Sequence, residues 1–91
     1  MGRVRKGREI DSALCKKGFR RETDGKHVLY FLVDSAGIRT MISHGDMGET
    51  IGDNLISRMS RQIRLTKTQF LDFIDCIISE EDYRTILRSI L

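Results

Sequence analysis

Two histidines, one of them beside a lysine, are the side chains of this sequence best suited to acid–base chemistry. His27 follows the turn Asp24-Gly25-Lys26 at the mouth of the most apolar run, and His44 ends a later predicted strand. An imidazole with an ordinary pKa of about 6.5 can take or give a proton at neutral pH. A nearby lysine can stabilise charge on a phosphorane. This combination is compatible with phosphodiester cleavage in RNA, in which an imidazole takes the 2′-hydroxyl proton or protonates the leaving oxygen. Histidines at strand ends also commonly form only local hydrogen bonds, and the spacing leaves both interpretations open.

Three predicted strands must bring the two histidines together. They cover residues 19–23, 27–34 and 38–43, and the Asp24-Gly25 pair between the first two is a strong hairpin motif. If residues 35–37 form a three-residue loop, His27 lies opposite Gly45 and Val28 lies opposite His44. Both histidines then reach the same end of the hairpin. A two-residue loop would shift the register and leave their relative orientation open.

The middle strand is apolar on both faces. Leu29, Phe31 and Val33 alternate with another set of apolar residues, Val28, Tyr30 and Leu32. We therefore expect this strand to be central and covered on both sides, by helices or by a partner.

Helical spacing accounts for the rest of the chain. A helix over 8–17 ends at Gly18, and a second helix begins at the N-cap Thr50, with apolar residues every fourth position. Thr66 and Gln69 form a capping box that starts a third helix through residue 78, and Ser79 starts a fourth through residue 91. The predicted order α-β-β-β-α-α-α is that of one α+β domain over residues 1–91.

Composition and charge restrict the class of protein. The 91 residues are 40% hydrophobic and 32% charged, with a net charge of +3. Residues 1–26 carry +5, residues 27–56 carry −3 and residues 57–91 carry +1, so the basic first segment favours an anionic partner. No apolar run approaches the roughly 20 residues of a membrane span. Without a secretory signal either, we expect a cytoplasmic protein with no membrane partner.

The sequence gives no support for a thiol, cofactor or metal site. Cys15 and Cys76 are predicted to be reduced and partly buried. No phosphate-binding glycine loop occurs, so no cofactor is expected. A metal site from His27, His44 and Asp46 is disfavoured because no metal-ligand spacing supports it, and we predict none.

Five short motifs then occur in a specific order over roughly residues 6–74. They are Lys16-Lys17-Gly18-Phe19, Gly25-Lys26-His27, Ile42-Ser43-His44-Gly45, Gly52 to Leu55 with Arg61-Gln62, and Leu65-Thr66 with Phe70-Leu71. In order and spacing they resemble the HicA toxin family, also described as YcfA-like mRNA interferases. Lys26 stands where the family usually has a serine, and the loop over 45–50 is acidic where many members have lysines.

The resemblance implies a fold, an activity and a partner. The fold would be like that of a double-stranded-RNA-binding domain, α-β-β-β-α with a three-stranded antiparallel sheet, as a core over about 6–66. Residues 67–91 would be a C-terminal helical extension. The activity would be ribosome-independent cleavage of mRNA, neutralised by a HicB-type antitoxin. By position the catalytic role falls on His27, with His44 as an auxiliary residue.

Seven basic residues are candidates for holding RNA phosphates. They are Lys16, Lys17, Arg20, Arg21, Lys26, Arg58 and Arg61. Two alternatives to the nuclease stay open at this point. One is a non-catalytic RNA-binding module, and the other is a protein-interaction domain that uses the C-terminal helices, which could also form a homodimer contact or cover the second sheet face.

Overall fold

The computed structural model describes residues 4–90, apart from the side chain of Ala36. Over this range the chain has an α+β fold with a three-stranded antiparallel sheet and four α-helices. In chain order the elements are β1 (Arg5–Lys6), α1 (Gly7–Lys16), β2 (Phe19–Asp24), β3 (His27–Leu32), β4 (Ser35–Ser43), a 3₁₀ turn (His44–Gly48), β5 (Thr50–Ile51), α2 (Asp53–Gln62), α3 (Lys67–Ile74) and α4 (Glu80–Ile90). Leu91 and residues 1–3, which the single-domain prediction includes, lie outside the described residues.

The main sheet has the order β2-β3-β4, as the meander pattern predicts. The β2–β3 turn is shorter than expected, because Asp24 belongs to the strand and pairs with His27. Gly25 has φ +59° at the first turn position, a conformation that glycine adopts without strain.

The predicted β3–β4 register is wrong by two positions. The turn falls at residues 33–34 instead of 35–37, and the pairing has a bulge between Phe31 and Leu32, just before this turn. His27 therefore pairs with Ser43, not Gly45, and Val28 pairs with Ile42, not His44. Because the error is an even number of residues, every β4 side chain keeps its predicted face.

The second predicted helix begins later than expected. Thr50 is not its N-cap, since residues 50–51 form β5 and pair antiparallel with β1. Gly52 is the N-cap, and α2 runs over Asp53–Gln62. The third helix ends four residues earlier than predicted, at Ile74 instead of residue 78, and Cys76 beyond it has a left-handed backbone with φ +66°. Two other helix ends agree with the predictions. Gly18 has φ +97° after α1, and the Thr66–Gln69 capping box is present at α3, with Gln69 N donating to Thr66 Oγ1 at 3.1 Å.

The helices of residues 4–90 cover only one face of the main sheet, so the prediction that helices cover its second face is wrong. Val28, Tyr30 and Leu32 are buried against them, whereas Leu29 and Phe31 on the opposite face are half-buried. The C-terminal helices lie on the covered side, where the rings of Phe19, Phe73 and Tyr83 pack together. The face that bears Leu29 and Phe31 is called the open face below.

Two buried tyrosines connect elements of the fold, Tyr30 joining β3 to α1 and Tyr83 joining α4 to the end of α2. Tyr30 OH donates to Asp11 Oδ1 of α1 at 2.7 Å, and Tyr83 OH donates to the carbonyl of Ile63 at 2.8 Å. Burial raises the pKa of both phenols well above the ordinary value, and for Tyr30 the hydrogen bond to Asp11 raises it further. Both therefore stay protonated near neutral pH and serve as hydrogen-bond donors.

None of the helices within residues 4–90 has the length and apolar character that crossing a lipid bilayer requires.

Candidate active site

His27 lies at the first position of β3 and is paired on both sides. Its partners are Asp24 in β2 and Ser43 in β4, and directly paired residues of antiparallel strands share a face. The three side chains form the last row of the open face, and His27 is exposed. Its imidazole makes no hydrogen bond or ion pair with any other residue of the described range. Both ring nitrogens are therefore available for proton transfer to a bound molecule.

A cleft of about 370 Å³ opens beside His27, between the β4 edge and the first turns of α2. Its lining is mixed polar and apolar and consists of His27, Met41, Ile42, Ser43, Asp46, Asn54, Leu55 and Arg58. Arg58 is exposed and has no ion-pair partner among residues 4–90. An imidazole and an unpaired guanidinium thus share one cleft, which can accommodate an anionic group and a proton transfer next to it.

One wall of this cleft is the 3₁₀ turn, which is fixed by hydrogen bonds to β4, to the β2–β3 turn and to α1. Ser43 Oγ accepts from Asp46 N at 3.3 Å, and His44 N donates to the carbonyl of Lys26 at 2.9 Å. Gly7 N of α1 donates to the carbonyl of Glu49 at 2.9 Å. A Cβ at Gly7 would lie only 2.1 Å from the backbone oxygen of Asp46, so only glycine permits this close approach.

His44 lies at the same end of the β3–β4 pair as His27, as predicted, but it is not part of the strand pairing. It is the exposed first residue of the 3₁₀ turn and does not line the cleft that contains His27. The structure therefore puts the imidazole of His27 in the lining of the cleft. His44 lies outside the cleft, one residue after Ser43, which is the β4 partner of His27.

Four of the predicted basic residues do not share the open face with His27. Lys17 is buried, and its Nζ donates to the carbonyls of Phe73 and Ile78, the latter at 3.0 Å. Arg21 lies on the covered face and pairs with Asp11 at 3.0 Å. Lys16 lines a groove between α1 and the end of α3, and Arg61 lines a groove against α4. Lys17 in particular is occupied by internal hydrogen bonds, which corrects its prediction as a phosphate ligand.

Three of the predicted basic residues lie near His27 or on its face. Arg58 lines the cleft, Lys26 is exposed in the turn next to His27, and Arg20 is on the open face. Arg39 joins this group, because its pairing with Phe31 puts it on the open face. Sequence reasoning missed Arg39. The strict alternation of β4 would have identified it, since Arg39, Met41 and Ser43 are at odd positions of one strand.

The cysteines and the metal-type residues give no additional site. Cys15 and Cys76 are free thiols and are exposed, so the prediction that they are partly buried is wrong. Partial desolvation and the nearby Asp11 carboxylate raise the pKa of Cys15, which makes a reactive thiolate unfavourable despite the adjacent lysines. Among residues 4–90, no three His, Cys, Asp or Glu side chains are grouped so that they could hold a metal ion.

No protein-family model matches the chain, and neither a curated protein nor a solved structure matches it.

Proposed function

We propose that this chain is an RNA endonuclease of the HicA type, with His27 as the proton-transferring residue. The observation that carries the proposal is the shared cleft of His27 and Arg58 at the mouth of the central strand. Neither side chain has a polar partner among residues 4–90, so both can contact a ligand in the cleft. Two polar groups without internal partners in one cleft are suited to a substrate.

The reaction needs a base for the 2′-hydroxyl and positive charge for the phosphorus centre. His27 takes the 2′-hydroxyl proton as the 2′-oxygen forms its bond to phosphorus. Arg58 and Lys26 stabilise the charge that develops on the non-bridging oxygens. The bond from phosphorus to the 5′-oxygen breaks, and the 5′-oxygen takes a proton from water. The products are a 2′,3′-cyclic phosphate and a 5′-hydroxyl.

The motif resemblance supports the finer parts of the proposal. It supports an mRNA substrate, a HicB-type antitoxin as the protein partner, and a cytoplasmic location. The order α1-β2-β3-β4-α2 and the helices on one sheet face also fit a fold like that of a double-stranded-RNA-binding domain. In this proposal α3 and α4 are an addition that enlarges the core on the covered side.

Cleavage of a labelled RNA tests the function. The wild-type chain should cut it and leave a cyclic phosphate that mass spectrometry identifies. His27→Gln should lower the rate by about 10²–10⁴-fold, with an unchanged far-ultraviolet circular dichroism spectrum. His44→Gln is the matched control and should retain most of the activity, because His44 does not line the cleft. Equal cleavage by wild type and His27→Gln would remove His27 from the mechanism.

A second candidate function is RNA binding without cleavage. It is favoured by the acidic residue Asp46 in the lining of the same cleft, whose negative charge opposes a phosphate there, and by the single imidazole in the cleft. It predicts salt-sensitive RNA binding, since released counterions contribute to affinity, with no products in the cleavage assay. A protein-interaction role without RNA predicts no RNA binding even at low salt.

A further inference from the structure

The open face carries a regular pattern of side chains in three rows across the sheet. The paired residues are Arg20, Phe31 and Arg39 in the first row, Glu22, Leu29 and Met41 in the second, and Asp24, His27 and Ser43 in the third. Direct pairing puts each row on one face of the sheet. The face thus has Phe31 and Leu29 at its centre, three charged residues along β2 and one, Arg39, along β4. No helix of the described chain covers it.

Phe31 is paired with an arginine on each neighbouring strand. Arg20 is its partner in β2 and Arg39 is its partner in β4. Both arginines are exposed and make no hydrogen bond or ion pair with residues 4–90, while Phe31 is half-buried and keeps part of its ring accessible. An accessible aromatic ring with guanidinium groups on both sides is the arrangement that stacks a nucleobase and holds its phosphates.

Shallow depressions continue this surface towards His27. One of about 260 Å³ is lined by Arg20, Glu22 and Phe31 with neighbours, and a second of about 250 Å³ is lined by Leu29, Arg39 and Met41 with neighbours. The cleft of His27 is the third, and Met41 lines both it and the second depression. Phe31 and His27 are four residues apart in one strand, roughly 13 Å.

The charges of the face indicate where a phosphate backbone would run. Arg39 and Arg58 lie on the β4 side, whereas Glu22 and Asp24 lie on the β2 side and repel phosphate. A strand with its backbone along β4 would have its bases over the apolar residues of β3. In a duplex the bases are already stacked on each other and cannot use an aromatic side chain in this way.

We propose that single-stranded RNA binds along the open face, with one base stacked on Phe31 between Arg20 and Arg39 and the backbone running beside β4 to His27. This inference rests on the proposed RNA-directed function, and it specifies an unpaired strand as the substrate. The exposed Met41 and half-buried Leu29 contact the next bases through apolar surface.

The test measures binding separately from cleavage. The probe is a fluorescently labelled 2′-O-methyl RNA, single-stranded or annealed to its complement, because the methyl group blocks attack by the 2′-oxygen. The wild-type chain should bind the single strand more tightly than the duplex. Phe31→Leu should weaken binding about five- to 150-fold, the range for loss of one stacked base, and Phe31→Tyr should retain it.

Arginine variants test the backbone path. Arg39→Gln should weaken binding and lower the slope of log affinity against log salt by about 0.7, as expected for one phosphate contact on a single strand. Arg88→Gln is the matched control, because Arg88 is exposed on α4 and donates only to Thr85 at 3.3 Å within the described chain. Thermal unfolding of each variant verifies that it is folded.

The outcomes separate the inference from the proposed function. Binding that requires Phe31, with no cleavage of ordinary RNA, would support the open-face site and overturn the nuclease. Cleavage that requires His27, with unchanged binding by Phe31→Leu, would support the nuclease and overturn the open-face site. Equal affinity for the duplex would also overturn the inference. The absence of single-strand binding at low salt would overturn it as well, and would favour a protein as the partner that binds the open face.

Discussion

Arg58 and Arg61 lie one turn apart on α2, yet they line different grooves of the molecule. Arg58 contributes to the cleft that contains His27, whereas Arg61 contributes to a groove with Ile86 and Ile90 of α4. Both are exposed arginines of the same helix, so they form a matched pair that tests the position relative to His27.

The first prediction uses this pair. Arg58→Gln should lower the rate of RNA cleavage by about 10²-fold or more, as for removal of one group that stabilises transition-state charge. Arg61→Gln should change it by less than about threefold, a surface-charge effect only. Cleavage rates at constant ionic strength measure both. Equal losses in the two variants would show that the arginines act through general charge rather than through the cleft.

The second prediction concerns the neighbours Lys16 and Lys17. Lys17→Met should destabilise the fold by about 1–3 kcal/mol, because the carbonyls of Phe73 and Ile78 lose their ammonium donor. The ammonium also lies 4.7 Å from the centre of the Phe73 ring. Lys16→Met should change stability by no more than about 0.5 kcal/mol, since Lys16 is exposed. Urea unfolding followed by circular dichroism distinguishes the two, and equal effects would contradict the internal role of Lys17.

The third prediction is an asymmetry between Asp11 and Tyr30. Tyr30→Phe should cost about 1 kcal/mol, because Asp11 keeps its ion pair with Arg21. Asp11→Ala should cost more, about 1–3 kcal/mol, because the fully buried phenol then has no acceptor. Adding Tyr30→Phe to Asp11→Ala should therefore restore stability. A double variant less stable than Asp11→Ala would show that the phenol finds another acceptor.

The fourth prediction is a pH dependence at the ion pair of Arg5 and Asp75. Arg5 Nε and Nη2 donate to the two carboxylate oxygens at 2.8 and 2.6 Å, and these hydrogen bonds lower the pKa of Asp75. A lowered folded-state pKa adds stability above the ordinary carboxyl pKa of about 3.9, and this stability disappears as pH falls through the folded-state value.

Comparison with Asp75→Asn isolates this contribution. At pH 7 the wild type should be more stable by at most about 1 kcal/mol, because the pair is partly exposed to solvent. The difference should shrink as the pH falls below about 4. Urea unfolding of both chains from pH 7 to pH 3 gives this curve. A difference that stays constant over the range would mean that Asp75 acts through packing and not through its charge.

Local features of the fold could be predicted from the sequence because their causes are local. The cap at Gly18 requires a left-handed residue, and the capping box of Thr66 and Gln69 needs only neighbours three positions apart. The wrong N-cap prediction at Thr50 has a long-range cause, since the strand of Thr50 forms only by pairing with β1 near the N-terminus.

The part of the candidate site that depends on local sequence could also be predicted. The location of His27 at the mouth of the central strand follows from the turn that precedes it. The register of β4, the turn at residues 33–34 and the contribution of Arg58 to the cleft depend on tertiary packing. The internal use of Lys17 also could not be predicted, because its acceptors Phe73 and Ile78 belong to elements far along the chain.

The small β1–β5 sheet has a consequence for the order of events in folding. The β2-β3-β4 meander consists of hairpins, which form within microseconds from contacts close in sequence. Pairing of Arg5 with Ile51 closes a loop that contains the entire meander, so its entropic cost favours late formation. Thr50→Gly should therefore accelerate unfolding in stopped-flow measurements and leave the refolding rate nearly unchanged. We therefore expect the β1–β5 pair to limit the rate at which the native molecule unfolds.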